Sequence, residues 1–390
     1  PLSSLTFRVS YSLTGTPPDA AYCNALTKLS MNTPYRPTTT DKELGFVVAA
    51  LGNDELTYEK KHEFNFGVDA GFFNNRLNVT FDVYQRRNFD EIAPTVTQLY
   101  GTAYANVGSM KSWGEELSIS STNIKTQDFS WQTSLIYSHN RTEITDLYNQ
   151  GRVIDLVQGN GFAKQGYPAR ALFSIPFVGI NEKGYPVCIN EKGQATVGNL
   201  NFQERDNTDY LIYEGSTDPV YNGSLGNTFN YKGFHLNVFL TYAFGNVVRL
   251  DPAFSAKYND LTSMTHDFKN RWMQPGDENV TNVPGVVSRY EYEQNSTLLA
   301  TAYNAYNYTS VRTAKGDFIR LKEISLAYDF PHRWFEKSPV NNISLKLQAT
   351  NLMLLYADKK LNGQDPEFMN AGGVASPMPK QFTLTLKLGL

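Results

Sequence analysis

The feature that most constrains the fold is residues 62–87, where apolar and polar residues alternate. Phe66, Val68 and Ala70 are apolar at every second position, and the same period restarts after the Asn pair at 74–75. Successive side chains of a β-strand point to opposite faces, so a period of two predicts two strands rather than a helix. Asn tolerates the positive φ angles of a tight turn, and residues 74–75 are therefore predicted to close a hairpin.

The predicted pairing gives this hairpin two unlike faces. Phe72 lies opposite Leu77 and Phe66 lies opposite Val83, so one face is apolar from Phe66 through Val83. On the other face Glu63 lies opposite Arg86, which predicts a cross-strand ion pair. The residues predicted for this polar face are Glu63, Asp69, Asp82 and Arg86. Such a hairpin fits a soluble sheet, or a membrane barrel with lipid outside and water inside.

Composition narrows the class of protein. A length of 390 residues fits one large domain or two to three ordinary ones. The net charge of −3 gives no electrostatic case for binding nucleic acid. No run of about 18 apolar residues exists, so a membrane-spanning helix is not expected. A transmembrane β-barrel is not excluded, because each of its strands gives only a weak hydrophobicity signal in the sequence.

Alternation predicts about ten strands along the chain, separated by links that are alternately short and long. A β-bulge around Lys322-Glu323 is predicted because the apolar stripe changes phase there. The strands are predicted near 5–13, 60–73, 76–87, 112–121, 128–141, 220–230, 234–245, 316–330, 341–354 and 380–390. The short links are 74–75, 122–127, 231–233 and 331–340, and the long ones are 14–59, 88–111, 142–219, 246–315 and 355–379.

Placing every long loop at one end is typical of an outer-membrane barrel, with short periplasmic turns and long extracellular loops. We therefore predict an all-β protein, a transmembrane antiparallel β-barrel, in preference to a soluble β-protein. Phe64, Phe66, Phe72 and Phe81 are predicted to face lipid. Ten strands would leave unpaired edges, which a membrane does not tolerate. We therefore expect residues 1–390 to be the C-terminal portion of a longer polypeptide, and we find no internal repeat beyond the hairpin period.

Several segments together resemble SusC/RagA-type TonB-dependent transporters over nearly the whole chain. The matching segments are 58–87 (YEKKHEFNFGVDAGFFNNRLNVTFDVYQRR), 105–120 (ANVGSMKSWGEELSIS), 218–245 (DPVYNGSLGNTFNYKGFHLNVFLTYAFG), 271–285 (RWMQPGDENVTNVPG), 316–330 (GDFIRLKEISLAYDF), 343–354 (ISLKLQATNLML), 365–367 (DPE) and 377–390 (PMPKQFTLTLKLGL). The match is to the C-terminal part of such a transporter, whose barrel has about 22 strands and a plug. The N-terminal extension, the TonB box and the plug are absent from this sequence.

The resemblance implies import of oligosaccharides or peptides across the outer membrane of a Bacteroidetes-type bacterium. It implies a SusD-like lipoprotein as a lid over the extracellular loops, and TonB acting through the absent N-terminal part. A dimer of transporter–lipoprotein pairs is a further expectation of the resemblance. The alternative is a structural or adhesive outer-membrane barrel whose long loops bind a partner without active transport.

Catalysis, cofactors and metals are not expected. The five histidines lack metal-ligand spacing, and no GxSxG motif supports a barrel-embedded hydrolase. Asp206, Asp209 and Asp218 could hold calcium, but solvated loop carboxylates are favoured. Cys23 and Cys188 could form one disulfide, but two separate loop thiols are favoured.

The most suggestive functional segment is 290–309, YEYEQNSTLLATAYNAYNYT, in a predicted long loop. Tyrosine offers a flat, amphipathic surface that suits stacking on sugars or packing on peptides. The candidates for contact with substrate or lid are Tyr290, Tyr292, Tyr303, Tyr306 and Tyr308. The alternative, which is favoured over direct substrate contact, is that these side chains pack the loop on itself or on the lid.

Overall fold

A computed structural model describes residues 2–19, 26–36, 40–97, 101–148, 150–259, 261, 263–336, 339–371 and 379–389. The strands are β1 (Leu2–Thr16), β2 (Lys28–Asn32), β3 (Gly45–Ala50), β4 (Glu59–Phe72), β5 (Leu77–Thr97), β6 (Gly101–Lys125), β7 (Phe129–Leu147), β8 (Ala171–Ser174), β9 (Phe177–Ile180), β10 (Pro186–Ile189), β11 (Ala195–Thr196), β12 (Ile212–Ser216), β13 (Tyr221–Tyr231), β14 (Phe234–Phe244), β15 (Val247–Arg249), β16 (Thr313–Lys315), β17 (Phe318–Asp329), β18 (Asn342–Ala357) and β19 (Gln381–Gly389).

Three short α-helices lie between the strands. They are α1 (Val153–Val157), α2 (Arg289–Gln294) and α3 (Ser296–Asn307). The 3-10 helices are His266–Asn270, Asp277–Asn279, Ser310–Arg312, His332–Trp334, Lys359–Leu361 and Pro366–Ala371. None of the described helices has the length and apolarity needed to cross a membrane.

Ten strands form one antiparallel sheet in the order β1-β4-β5-β6-β7-β13-β14-β17-β18-β19. Each of the ten strands predicted from alternation lies in this sheet, which we call the barrel sheet. The all-β class and the antiparallel arrangement are therefore confirmed. Strands β1 and β19 are its two edges, and the intervening short strands pair in small separate sheets.

The hairpin of β4 and β5 has the predicted register. Phe72 pairs with Leu77, Phe66 with Val83 and Glu63 with Arg86. Asn74 and Asn75 have φ angles of 57° and 59°, as the predicted tight turn requires.

Cross-strand partners share a face of the sheet, so the register can be followed across it. One row of side chains is apolar in nine consecutive strands: Leu5, Ala70, Val79, Ile119, Leu135, Leu225, Leu240, Leu321 and Met353. The neighbouring row on the opposite face is mostly polar: Thr6, Asp69, Thr80, Ser118, Ile136, Ser224, Thr241 and Arg320. A sheet with one apolar and one polar face, sustained over this width, is what a barrel in lipid requires.

Two irregularities of the barrel sheet bear on the predictions. The bulge predicted around Lys322-Glu323 is confirmed, because Phe239 pairs with Glu323 while the next residue, Leu240, pairs with Leu321. The predicted loop 88–111 is wrong, since β5 and β6 continue through most of it and reach 21 and 25 residues. The sequence hides this extension because a bulge between Asn88 and Glu91 shifts the alternation out of phase.

The longest links of the barrel sheet, 148–220 and 245–317, are folded rather than open loops. We call these two segments together the loop block. The loop block contains a short repeat that was not predicted from the sequence. Ile-Asn-Glu-Lys-Gly occurs at 180–184 and again at 189–193. Each copy forms the same turn, in which the Asn Oδ1 atom accepts hydrogen bonds from two backbone N–H groups. The two turns lie beside β10, which pairs with both β9 and β11.

Candidate functional site

The loop block is organised around α3, which contributes side chains to two buried clusters. Positions 299, 302, 303 and 306 of α3 lie on one buried face, with the i, i+3, i+4, i+7 spacing of an amphipathic helix. The first cluster contains Val153, Leu156, Val157, Ala171, Phe173, Ile175, Cys188, Leu211 and Ala305. The second contains Phe254, Ala256, Val287, Leu299, Ala302, Tyr303 and Tyr306.

The five predicted tyrosines therefore have different environments. Tyr303 and Tyr306 are each only 2% exposed, so the expectation that they contact substrate or lid is wrong for the structure described, and the packing alternative applies. Burial also raises the pKa of both phenols, which stay protonated. Tyr308 is half-buried and packs edge-on against Phe202. The helical spacing of 299–306 is the signal that could have separated these residues from a flexible loop.

The remaining two tyrosines lie on α2. Tyr290 is 74% exposed. Tyr292 is half-buried against the second cluster, and the Lys257 ammonium group lies 5.3 Å from the centre of its ring. These two side chains remain available for contact with a ligand or partner.

A cleft of about 650 Å³ lies beside Tyr292, and we call it the loop cleft. Its lining includes Lys257, Tyr258, Val287, Arg289, Tyr292 and Glu293. Side chains of α3 hold the backbone next to two segments of this lining. The buried Asn307 amide bonds the backbone N–H and carbonyl of Phe254 at 3.1 and 2.8 Å, and the buried Tyr303 hydroxyl donates to the carbonyl of Gly285.

Arg249 holds the first cluster to the strands around it. It is 3% exposed, and its guanidinium donates to the carbonyls of Val157, Thr309 and Phe173 at 3.2, 2.8 and 2.6 Å. Burial lowers its pKa to about 10, so the group stays charged at neutral pH. A charged donor that satisfies several buried carbonyls makes this packing specific rather than adaptable.

Two further arginines join the loop segments to each other and to the barrel sheet. Arg312 and Asn362 both donate to the carboxylate of Asp267, at 3.3 and 3.1 Å, which links the loop block to the β18–β19 link. Arg320 of β17 forms a buried ion pair with Asp365 at 2.6 Å. Neither of these two ion pairs was predicted from the sequence, because the partners are 45 positions apart in each.

The polar face of the β4–β5 hairpin carries a small network of ion pairs. Arg86 bonds Glu63 at 2.9 Å, as predicted. Arg8 of β1 reaches Asp69 at 2.7 Å and Asp82 at 3.0 Å. The role of Arg8 was not predicted, because β1 pairs with β4 across the intervening β2–β3 hairpin and no local sequence pattern indicates that pairing.

Other predicted loop residues have ordinary structural partners. Asp209 and Asp218 form ion pairs with Lys164 and Arg170 at 3.0 and 2.7 Å, whereas the sequence predicted solvated carboxylates there. Cys188 is a buried free thiol, whereas Cys23 lies outside the described residues. Burial raises the pKa of the Cys188 thiol to about 12.

At the start of α1, a guanidinium and a carboxylate form a local ion pair. The Arg152 side chain bonds Asp155 at 2.8 Å, and the backbone N–H of the same arginine donates to that carboxylate at 3.0 Å. These hydrogen bonds, the side-chain one foremost, lower the pKa of Asp155.

A wide antiparallel sheet with one apolar face and folded loops at one end defines the chain as part of an outer-membrane β-barrel. Residues 1–251 match the family model described as TonB dependent receptor-like, beta-barrel. The chain belongs to this family.

Relatives and solved structures agree with that assignment. The chain is 25% identical over 390 residues to TonB-dependent receptor P3 of Formosa agariphila, covering 94% of this chain and 36% of the relative. It is 27% identical over 356 residues to TonB-dependent receptor SusC of Bacteroides thetaiotaomicron, covering 87% of this chain and 32% of the relative. The solved structure of the RagAB peptide transporter matches with a TM-score of 0.74 and 24% identity, covering 99% of this chain and 41% of that one. The chain spans about a third of the length of the curated relatives it matches.

Proposed function

We propose that this chain is the C-terminal portion of the barrel of an outer-membrane nutrient importer. Its work would be binding and gating without bond chemistry, since the relatives it matches are receptors and transporters. The observation that carries the proposal is the loop block. A barrel that only spans the membrane needs no loop domain with two cores of its own, whereas capture of cargo needs a rigid surface at the barrel mouth.

The polar face of the β4–β5 hairpin would line the lumen. Its ion pairs between Arg8, Asp69 and Asp82 and between Glu63 and Arg86 place charge on that face, opposite the apolar stretch from Phe66 through Val83. Charged side chains are costly on the lipid side of a barrel and tolerated on the inner side. We assign these residues a structural role in the inner wall, where a plug supplied by the rest of the polypeptide would contact them.

The partners follow from the same proposal. A SusD-like lipoprotein would close over the loop block, TonB would supply energy through the N-terminal part of the protein, and oligosaccharides or peptides would be the cargo. The RagAB peptide transporter, whose structure this chain resembles, is the precedent for peptide cargo. The exposed Tyr290 is available on the loop block for contact with such a lid.

The test is purification of the full-length protein together with its lipoprotein, followed by mass spectrometry of the retained ligand. Uptake of that ligand is then measured in cells with and without functional TonB. Import predicts a retained small oligosaccharide or peptide and uptake that stops without TonB. A protein that holds a macromolecular partner and gives no TonB-dependent uptake would support the structural or adhesive alternative instead.

A further inference from the structure

The loop cleft has the size and rigidity of a ligand site. Its volume of about 650 Å³ lies within the range of about 300–1,000 Å³ that small-molecule sites occupy. Asn307 and Tyr303 hold the backbone of Phe254 and Gly285, which lie next to the lining segments, and the lining residue Val287 belongs to the second cluster. A ligand would therefore enter a preformed site and would not need to order a loop.

One wall of the loop cleft is an aromatic platform. The ring of Tyr258 stacks on Phe268 with centroids 5.2 Å apart and an interplanar angle of 16°. The Arg271 guanidinium lies 4.7 Å from the centre of the Phe268 ring and supports the stack. Tyr258 nevertheless remains 41% exposed, so its ring is flat, fixed and open to the cleft. A flat aromatic face of this kind packs well against the C–H face of a sugar ring.

The charges around the platform select among ligands. Arg289 and Glu293 form an ion pair at 2.7 Å along α2, so their charges offset each other. The remaining guanidinium N–H donors and carboxylate oxygen acceptors can form hydrogen bonds with hydroxyl groups. Lys257 lies over Tyr292 and has no ion-pair partner among the described residues. Among the described residues, its ammonium group is therefore a positive charge of the cleft lining without an ion-pair partner, and it lies beside the aromatic platform.

We propose that the loop cleft binds a glycosyl unit that carries a carboxylate or a sulfate group. The ring would stack on Tyr258, its hydroxyls would meet the Arg289–Glu293 pair, and its anionic substituent would meet Lys257. This inference rests on the proposed import function, because it makes the cleft a first contact for cargo at the barrel mouth. An acidic peptide of glutamate carries the anionic groups but has no C–H ring face to stack on Tyr258, so it serves as the comparison in the test.

The experiment is isothermal titration calorimetry on the full-length protein in detergent. The probes are a uronate tetrasaccharide, a sulfated tetrasaccharide, a neutral glucose tetrasaccharide and a tetrapeptide of glutamate. We expect at least one anionic sugar to bind about 10-fold or more tightly than the neutral sugar and the peptide. Equal affinity for all four probes, or tightest binding of the peptide, would overturn the proposal.

Substitutions locate the binding in the cleft. Tyr258→Ala should weaken the anionic sugar about 10-fold through loss of stacking, while Tyr258→Phe keeps the ring and should bind as the native protein does. Lys257→Gln should remove the preference for the anionic sugar over the neutral one. Tyr148→Ala is the matched control, because this tyrosine is exposed on the loop block outside the cleft lining and its loss should change nothing.

The two proposals fail in different ways. Unchanged affinity in Tyr258→Ala and Lys257→Gln, together with TonB-dependent uptake, would overturn the cleft assignment and leave import standing. Cleft-dependent binding in a protein that shows no TonB-dependent uptake would overturn import and leave the cleft as a glycan-binding site.

Discussion

Asp365→Asn should release the β18–β19 link from the barrel sheet. Both members of the Arg320–Asp365 pair are nearly inaccessible, with side chains 4% and 3% exposed, and Arg320 Nη2 lies 2.6 Å from each carboxylate oxygen. Neutralising the acid leaves a buried guanidinium charge without its main partner, which typically costs about 3–5 kcal/mol. Glu367 stays 3.1 Å from the same nitrogen but is 41% exposed, so it compensates in part, and we expect about 3 kcal/mol.

The measurement is hydrogen exchange of residues 359–369, followed by mass spectrometry of the full-length protein in detergent. When the exchange rate is set by the equilibrium between the closed and open states of this segment, a loss of about 3 kcal/mol in the free energy of opening raises the exchange rate roughly 100-fold. Glu367→Gln is the matched control and should change exchange little, because exposed ion pairs contribute about 0–1 kcal/mol.

A double substitution distinguishes the cost of leaving one buried charge unpaired from the effect of simply changing these two side chains. Arg320→Met with Asp365→Leu replaces two buried charges by apolar groups of similar size, which is often neutral in stability. We therefore expect exchange in the double variant to return close to that of the native protein. Exchange in Asp365→Asn within about threefold of native, or a double variant as fast as the single one, would refute the argument that this ion pair anchors the link.

Other substitutions test the faces, the loop cores and the charges separately. Phe66→Arg should destabilise the barrel by roughly 2–4 kcal/mol if it lies near the membrane midplane, whereas Asn65→Arg on the opposite face should cost far less, as measured by reversible unfolding in lipid. In a Cys23→Ser background, Cys188 should resist thiol reagents at pH 8 until denaturant opens the loop block, because a pKa of about 12 leaves almost no thiolate; rapid labelling of the folded protein would contradict its burial. Asp155 has a lowered folded pKa, so its stabilisation is present above the unfolded pKa and is lost as pH falls below about 4. Asp155→Asn should therefore cost about 1 kcal/mol at pH 7 and progressively less as pH falls through the lowered folded pKa, and a cost that does not change with pH would refute the ion-pair role.

The barrel sheet was predictable from the sequence because a strand reports its two faces in its own residues. All ten strands, the register of the β4–β5 hairpin and the bulge near Lys322 followed from alternation, which needs no knowledge of the rest of the fold. The same reasoning failed at 88–111, where a second bulge broke the period and a strand extension read as a loop.

The packing of the loop block could not be predicted from the sequence. The spacing of Leu299, Ala302, Tyr303 and Tyr306 could have predicted α3, but not that its buried face joins two clusters built from segments over 100 residues apart. Whether a tyrosine in this helix is buried or exposed depends on what packs against it. Tyr303 and Tyr306 therefore became core, while Tyr290 and Tyr292 stayed accessible.

By itself, then, the sequence determined the sheet, its apolar and polar faces and the end at which the long links lie. Only the tertiary structure decided that Arg8 joins Asp69, that Arg320 joins Asp365, and that Tyr258 and Lys257 share one cleft with α2. The physical reason is how far apart in the sequence the interacting residues lie. Strand periodicity arises from neighbouring residues, whereas ion pairs, buried clusters and clefts depend on which distant segments the folded chain brings into contact.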